Sequence, residues 1–457
     1  MRPALGVPDL QAVMREAASR LSEAVSRVDG EYLVSVRAEG PEFDLLDVLA
    51  TPSPTGIDLW YWRSPDGLEM AALGHAWEQQ SRGHGRVQAL QQAWAQVAAS
   101  ASIALCGLAF DPQGPHDPAW GGFPSAVLLV PRILLRRSGR KTQLVLTVRR
   151  NEDPRAVMQV PVAILGERSQ DGAVLAEAAS SPRLVPTPPV DRWKALVGAA
   201  ARAVRGGALR KVVLARGIQV AGGTMDPVAA LRRLRDRYPA CTVFGVRRKG
   251  RWFIGATPER LVRVRGRTVE VAVLAGTAPR ALDPEEDAAL GVALFRSTKE
   301  RIEHRIASEF VAGALHPMCD AFQVEGPFVV RIRNVQHLET RVRGILREPV
   351  TVLDLVDRLH PTPAVAGLPL PEALRWIGQE GIDRGWYAGL LGWLGGLEEG
   401  EFVVGIRSAV IGPHGAVAFA GCGIVADSDP EQELAESHLK LRPILDALGL
   451  DPEVWEA

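Results

Sequence analysis

Helical and strand periodicities follow one another irregularly along this chain, and that irregularity constrains its architecture more than any single motif. Leu10, Val13, Met14, Ala17, Leu21, Val25 and Val28 recur at spacings of three and four, which predicts an amphipathic opening helix. Short strand-like runs separated by turns then continue to about residue 175, among them Glu31–Val36, Ile103–Phe110, Ala126–Val130 and Leu144–Val148. Residues 180–190 (SSPRLVPTPPV) are proline-rich and read as an extended linker. Beyond it, Asp191 is placed to cap a helix with Trp193, Leu196, Val197, Ala200 and Val204 on its apolar face. Strands are predicted at Lys211–Arg216, Trp252–Ala256, Thr268–Val273, Phe328–Asn334, Glu401–Ile411 and Ala416–Ala420. Pro284–Leu315 reads as one long helix, and another runs from about Asp429 to Leu448. No regular strand–helix–strand rhythm connects these elements, so the expectation is an α+β fold built on a large antiparallel sheet with flanking helices.

Composition narrows the functions. Lys+Arg and Asp+Glu both number 53, and the formal net charge of zero argues against broad binding to nucleic acid or an anionic membrane surface. A local basic pocket for a small anion stays open. Cys106, Cys241, Cys319 and Cys422 form no CxxC pair and do not cluster with histidines, so neither a disulfide framework nor a zinc finger is expected. A reducing, cytoplasmic setting fits this usage. No signal-peptide pattern and no uncharged apolar stretch of about 18 residues is visible, so no transmembrane helix is expected.

Several residues bear on chemistry. Glu300 and Glu303 share a helix face beside His304. Ser428-x-x-Glu431 with Pro430 reads as a capping box, and Glu433, Glu436 and Lys440 then form one stripe opposite Leu441, Ile444, Leu445 and Leu448. Two accounts of these acidic faces stand side by side: solvated helix surfaces, or four carboxylates converging on one hard divalent cation, with oxygen donors favouring Mg²⁺ over zinc. Lys211 opens an apolar run and shares a strand face with Val213 and Ala215. It is either a strand-end lysine reaching solvent or a desolvated amine of lowered pKa able to act as a base. Glu259 after Pro258 is either a turn residue or a pocketed carboxyl of raised pKa. Gly421-Cys-Gly423-Ile-Val-Ala426 matches GxGxxA, but it lies too near the C-terminal end for a dinucleotide fold and reads as a glycine bend with amides near a bound group. His337 and His360 read as loop histidines with structural hydrogen bonds.

Taken jointly, the blocks KVVLAR (211–216), FIGATPERL (253–261), LAGTAPR (274–280), KERIEH (299–304), LHPTPAVAGLP (359–369), RGWYAGLLGW (384–393), VVGIRSAVI (403–411) and GCGIVADSDPEQELAES (421–437) resemble the chorismate-utilising enzymes, isochorismate synthases above all. The resemblance extends over residues 191–448, more than half the chain. The resemblance implies the chorismate-utilising enzyme fold, with residues 191–457 as the catalytic region and 1–180 as a variable N-terminal part of one integrated domain. It implies Lys211 as the base that activates water and Glu259 as the acid. Glu303 and Glu436 match Mg²⁺ ligands, with Glu300 and Glu433 supporting them. Tyr387, Arg407 and Lys440 match groups that hold substrate carboxylates. Gly276, Thr277, His337, Gly421 and Gly423 match positions lining the same pocket.

Lysine at 211 points to water as nucleophile, where anthranilate synthases use ammonia and generally lack it. Ala275 stands where aminodeoxychorismate synthases usually carry lysine. Ala364 stands where salicylate synthases tend to have threonine, which favours an enzyme that stops at isochorismate, with salicylate synthase and a non-catalytic chorismate-binding protein as the alternatives. Cys422 replaces a commoner alanine, and Leu390-Leu391 the usual Pro-Val. The expected partner is chorismate alone. No glutaminase subunit is expected, and the chain is read as a monomer. Its product would feed a menaquinone, siderophore or salicylate route.

Overall fold

The computed structural model describes residues 7–27, 32–40, 42–50, 56–154, 157, 182–223 and 225–450. Every strand pairing among them is antiparallel. The long strand Ala126–Ser138 is the junction of two arms. One edge pairs with Glu69–Ser81, while the other is shared between Ala104–Leu108 and Lys141–Arg149. From Glu69–Ser81, hydrogen bonding runs through Leu59–Arg63, Thr242–Arg248, Arg251–Thr257, Ser408–Gly412 and Gly415–Ile424 to Lys211–Ala221. From Ala104–Leu108 it runs through Leu390–Gly395, Glu399–Val404, Arg260–Arg265, Thr268–Pro279 and Val335–Leu346 to Cys319–Arg331.

The larger core draws Trp62, Phe244 and Phe253 from the first arm and Val262, Trp393 and Phe402 from the second. A second core lies where Leu59 and Tyr61, the alternate residues of a central strand, meet Leu231 and Leu234 of the helix Pro227–Arg237 and Leu441 and Ile444 of Pro430–Ala447. Period-two alternation thus buries both faces of Leu59–Arg63, which explains its unbroken apolar run. No helix among the described residues is long and apolar enough to cross a membrane.

Local structure departs from the sequence expectation at informative places. The stretch from Pro284 to Leu315 is two helices, Pro284–Arg296 and Thr298–Leu315. Ser297 between them is extended (φ −62, ψ 119), and its hydroxyl accepts from the Glu300 N–H, capping the second helix. The expected strand Glu401–Ile411 is two strands, Glu399–Val404 and Ser408–Gly412, parted at Arg407, which adopts φ +52. The expected linker contains the strand Arg183–Thr187 on the edge of Lys211–Ala221, where proline at 186 is tolerated because only one edge is bonded; residues 180 and 181 lie outside the described residues. Asp191 lies within the first turn of Val190–Arg205, whose N-cap is Pro189. Asp429, not Ser428, caps Pro430–Ala447 by accepting from Glu431 N and Gln432 N, while Ser428 Oγ accepts from Val425 N. Gly421 and Gly423 lie inside the strand Gly415–Ile424, so there is no glycine bend, and His337 lies in the strand Val335–Leu346 rather than a loop. Val28 and Glu31 lie outside the described residues.

Candidate active site

The predicted residues converge on one cavity. Glu259, Gly276, Thr277, Glu303, His337, Ala364, Tyr387, Arg407, Gly421, Gly423 and Lys440 line it. Lys211, Glu300, Glu433 and Glu436 do not line it, but Lys211, Glu300 and Glu436 stand directly behind residues that do. Lys211 Nζ is 3.0 Å from Glu303 Oε1. Glu300 Oε2 accepts from the Thr277 N–H at 2.9 Å, and Glu436 pairs with Lys440 at 2.5 Å.

The break at Ser297 places Glu300 in the first turn of its helix and Glu303 one turn on, both buried. The helix Pro430–Ala447 brings Glu433, Glu436 and Lys440 to the same region. Lys299 bridges the two helices, 2.6 Å from Glu433 and 3.4 Å from Glu300. Burial and the neighbouring Glu303 and Glu436 charges raise the Glu300 pKa. Burial and Glu436 push Glu433 up to about 7. Burial would raise Glu436 too, but Lys440 outweighs it and holds that carboxyl below its usual value. These helix faces are therefore buried clusters of mutually repelling carboxylates, not solvated stripes.

Gly423 is required here for space. A Cβ at that position would lie 2.0 Å from Glu303 Oε1 and 2.8 Å from Lys211 Cε. Lys211, with no exposed side-chain surface, therefore reaches the cavity wall between Glu303 and this bare stretch of strand. Sequence reasoning left it either a strand-end lysine reaching solvent or a desolvated amine; the structure buries it and adds a carboxylate partner.

Glu259 sits at the turn between Arg251–Thr257 and Arg260–Arg265, 7% exposed. Burial pushes its pKa up to about 7 against the opposing pull of Lys211, Lys440 and Arg407. On the other arm, Gly276 takes φ +78 at a bulge in Thr268–Pro279, and its carbonyl faces His337 Nδ1 at 3.0 Å. A carbonyl only accepts, so Nδ1 carries the proton, and Nε2 accepts from Arg407 Nη2 at 3.2 Å. Burial, with Arg407 adding to it, lowers the His337 pKa to about 3, which agrees with this neutral tautomer.

The left-handed backbone at Arg407 turns its side chain inward, where Nη1 is buried and has no hydrogen-bond partner among the described residues. Lys440 Nζ donates to the Gly421 carbonyl at 3.0 Å. Tyr387 stacks on Phe419 with ring centroids 5.1 Å apart. The cavity thus sets cations and a phenol against a protonatable carboxyl, which suits a small, multiply anionic molecule. Cys422 does not line it; its Sγ donates to the Glu433 carbonyl at 3.3 Å and lies within 4.8 Å of carboxylate oxygens of Glu433 and Glu436.

Sequence reasoning missed three residues here. Lys299 sits inside a quoted block, and a basic residue one position before a paired-glutamate face was the available signal. Arg384 lines the cavity and also opens a quoted block, yet nothing in its local pattern foretold a buried partner in Glu380.

The antiparallel two-armed sheet carries an inward cluster of carboxylates, lysines and arginine suited to a small anionic molecule, and comparison with known proteins gives the class. Residues 19–449 match the family model described as chorismate binding enzyme, and the chain belongs to that family. It is 36% identical over 441 residues, 93% of this chain and 92% of the other, to the salicylate biosynthesis isochorismate synthase of Pseudomonas aeruginosa. It is 33% identical to isochorismate synthase MenF of Bacillus subtilis, covering 78% of this chain and 76% of that one. The solved structure of the menaquinone-specific isochorismate synthase MenF of Escherichia coli superposes with a TM-score of 0.79 at 28% identity, over 95% of this chain and all of that one.

Proposed function

We propose that this chain is an Mg²⁺-dependent isochorismate synthase, converting chorismate to isochorismate. The observation that carries the reading is a buried carboxyl, Glu259, with its pKa near 7, in one cavity wall with a buried arginine whose Nη1 has no hydrogen-bond partner among the described residues, and with a buried lysine just behind that wall. The residues fit a hard divalent cation: three buried carboxylates and the half-buried Glu436 repel one another, carboxylates offer only oxygen donors, and Gly423 leaves room beside Glu303. Glu303 and Glu436 would hold it, supported by Glu300 and Glu433. When bound, Mg²⁺ supplies neutralisation of a substrate carboxylate as charge redistributes over the ring.

The protein's own groups account for the rest. Arg407, Tyr387 and Lys440 bind and orient the other carboxylate, with His337 fixing the guanidinium. Lys211 acts as the base, accepting a proton from the water that attacks C2. Glu259 gives its proton to the hydroxyl leaving C4, and the ring double bonds shift between the two centres. One water enters and one departs, so mass is unchanged. General acid and general base each typically contribute ~10²–10⁴ in rate. Water as nucleophile needs no glutaminase subunit, and the chain is taken to act alone. Ala364 in the cavity wall fits release of isochorismate without further elimination.

Incubating the pure protein with chorismate, with and without added Mg²⁺, and separating products by chromatography and mass tests this. The expected product has unchanged mass, is isochorismate, and forms only with Mg²⁺. Salicylate with pyruvate would replace the reading by salicylate synthase. Chorismate binding without turnover would replace it by a non-catalytic binding protein.

A further inference from the structure

The strand that carries Lys211 is incomplete on one edge. Gly415–Ile424 pairs with it throughout, from Ala221 to Val212. On the opposite edge Gly367–Leu368 covers Lys211 and Val212, and Arg183–Thr187 covers Gly217–Ala221. Between them, the Val213 N–H still donates to the Ala366 carbonyl at 2.7 Å, but Val213–Arg216 has no strand partner on that edge among the described residues. Buried backbone groups left there would each cost about 1–3 kcal/mol.

Side chains fill the gap. Glu380 Oε1 accepts from the Ala215 N–H at 2.8 Å, and Arg384 Nη2 donates to the Val213 carbonyl at 2.8 Å. Arg384 also donates from Nη1 to the Val365 carbonyl at 2.9 Å, next to Ala364. The two residues form a two-pronged ion pair through Nε–Oε2 and Nη2–Oε1, with 1% and 4% of their side chains exposed. The guanidinium lies over the Phe110 ring, 4.5 Å from its centroid.

We propose that the buried Glu380–Arg384 pair acts as a side-chain surrogate for a missing strand and positions Lys211 for proton abstraction. Lys211 is two residues from Val213 and on the same strand face, so the depth and tilt of that segment set where Nζ stands. A displacement of about 1 Å at a reacting group can cost on the order of 10²-fold in rate. Glu380 does not line the cavity, so it is a positioning residue and can be varied without removing a contact to substrate.

The inference rests on the isochorismate synthase reading, and the wild-type assay separates the two: without wild-type turnover that reading fails, whereas wild-type turnover with unaffected variants defeats only the positioning role. In Glu380→Gln the amide still offers an oxygen to Ala215 but the charge opposite Arg384 is gone; in Glu380→Ala both are lost. Expected are a roughly tenfold fall in kcat for Gln and a roughly hundredfold fall for Ala, with KM within threefold of wild type. Amide hydrogen exchange in peptides covering residues 211–217 should quicken in the same order. Unchanged kcat in both variants, a rise in KM alone, or lost kcat without faster exchange there would each overturn the proposal. If the Ala variant does not fold, the Gln variant decides by the same readouts.

Discussion

Glu259 keeps its proton up to about pH 7 because burial disfavours its charge more than the neighbouring Lys211, Lys440 and Arg407 side chains favour it. An acid of raised folded-state pKa binds more protons folded than unfolded between about 4.5 and 7, so its contribution to stability falls as pH rises through that window. Two outcomes follow. As general acid it must be protonated, so kcat/KM should fall above an apparent pKa near 7, measured from initial rates between pH 5.5 and 9. Glu259→Gln should lose most activity yet be more stable than wild type at pH 8.5, by up to about 3 kcal/mol, and nearly equal to it at pH 5. Urea unfolding at both pH values checks the sign; a variant weaker at pH 8.5 would mean the carboxyl is ionised and paired in the fold. Lys211→Ala removes the proposed base and leaves Glu303 without its partner. Turnover should drop at least 10²-fold with the circular dichroism spectrum unchanged, and near-native activity would remove Lys211 as base.

Elements aim these residues, and there the sequence is legible in part. Strand runs such as Arg251–Thr257 are readable because they are apolar and bounded by turn residues. The acidic stripes are readable by spacing, but their burial depends on two helices distant in sequence and on Lys299 between them. Ser297 carries a local signal, Ser-x-x-Glu, masked by an apolar period that continues on both sides. Arg407 gives none: a left-handed arginine inside a strand-like run is a tertiary constraint. The roles came from ordered family blocks rather than periodicity, since alternation alone leaves Lys211 equally a solvent-seeking lysine. Gly423 tests the element scale. Alanine there keeps strand geometry but sets a methyl against Glu303 and Lys211. Gly423→Ala should lower Mg²⁺-dependent turnover by at least 10²-fold while the urea midpoint moves little. Calorimetric titration with Mg²⁺ should show the affinity loss directly, and wild-type affinity would mean Glu303 is not a ligand.

At the scale of the molecule, the N-terminal third is woven into the sheet that carries the site. Leu59–Arg63 is the outer partner of Thr242–Arg248, and Ala104–Leu108 that of Leu390–Gly395. Trp120 stacks on Phe419, which in turn stacks on Tyr387. The Phe110 N–H donates to the Gly385 carbonyl at 2.8 Å, beside Arg384. A change of sequence here would leave that mechanical task intact, since backbone pairing asks for strands of the right length rather than particular side chains. We expect one cooperative unit. A fragment of residues 182–457 keeps every proposed catalytic and metal-binding group, yet exposes two strand edges and the aromatic face formerly covered by Trp60 and Trp120. It should show no cooperative urea transition, bind a hydrophobic dye strongly and lack turnover, while the full chain unfolds in a single step seen alike by fluorescence and circular dichroism. A fragment with its own sharp transition would instead make the N-terminal third a separate domain docked on a self-sufficient catalytic one.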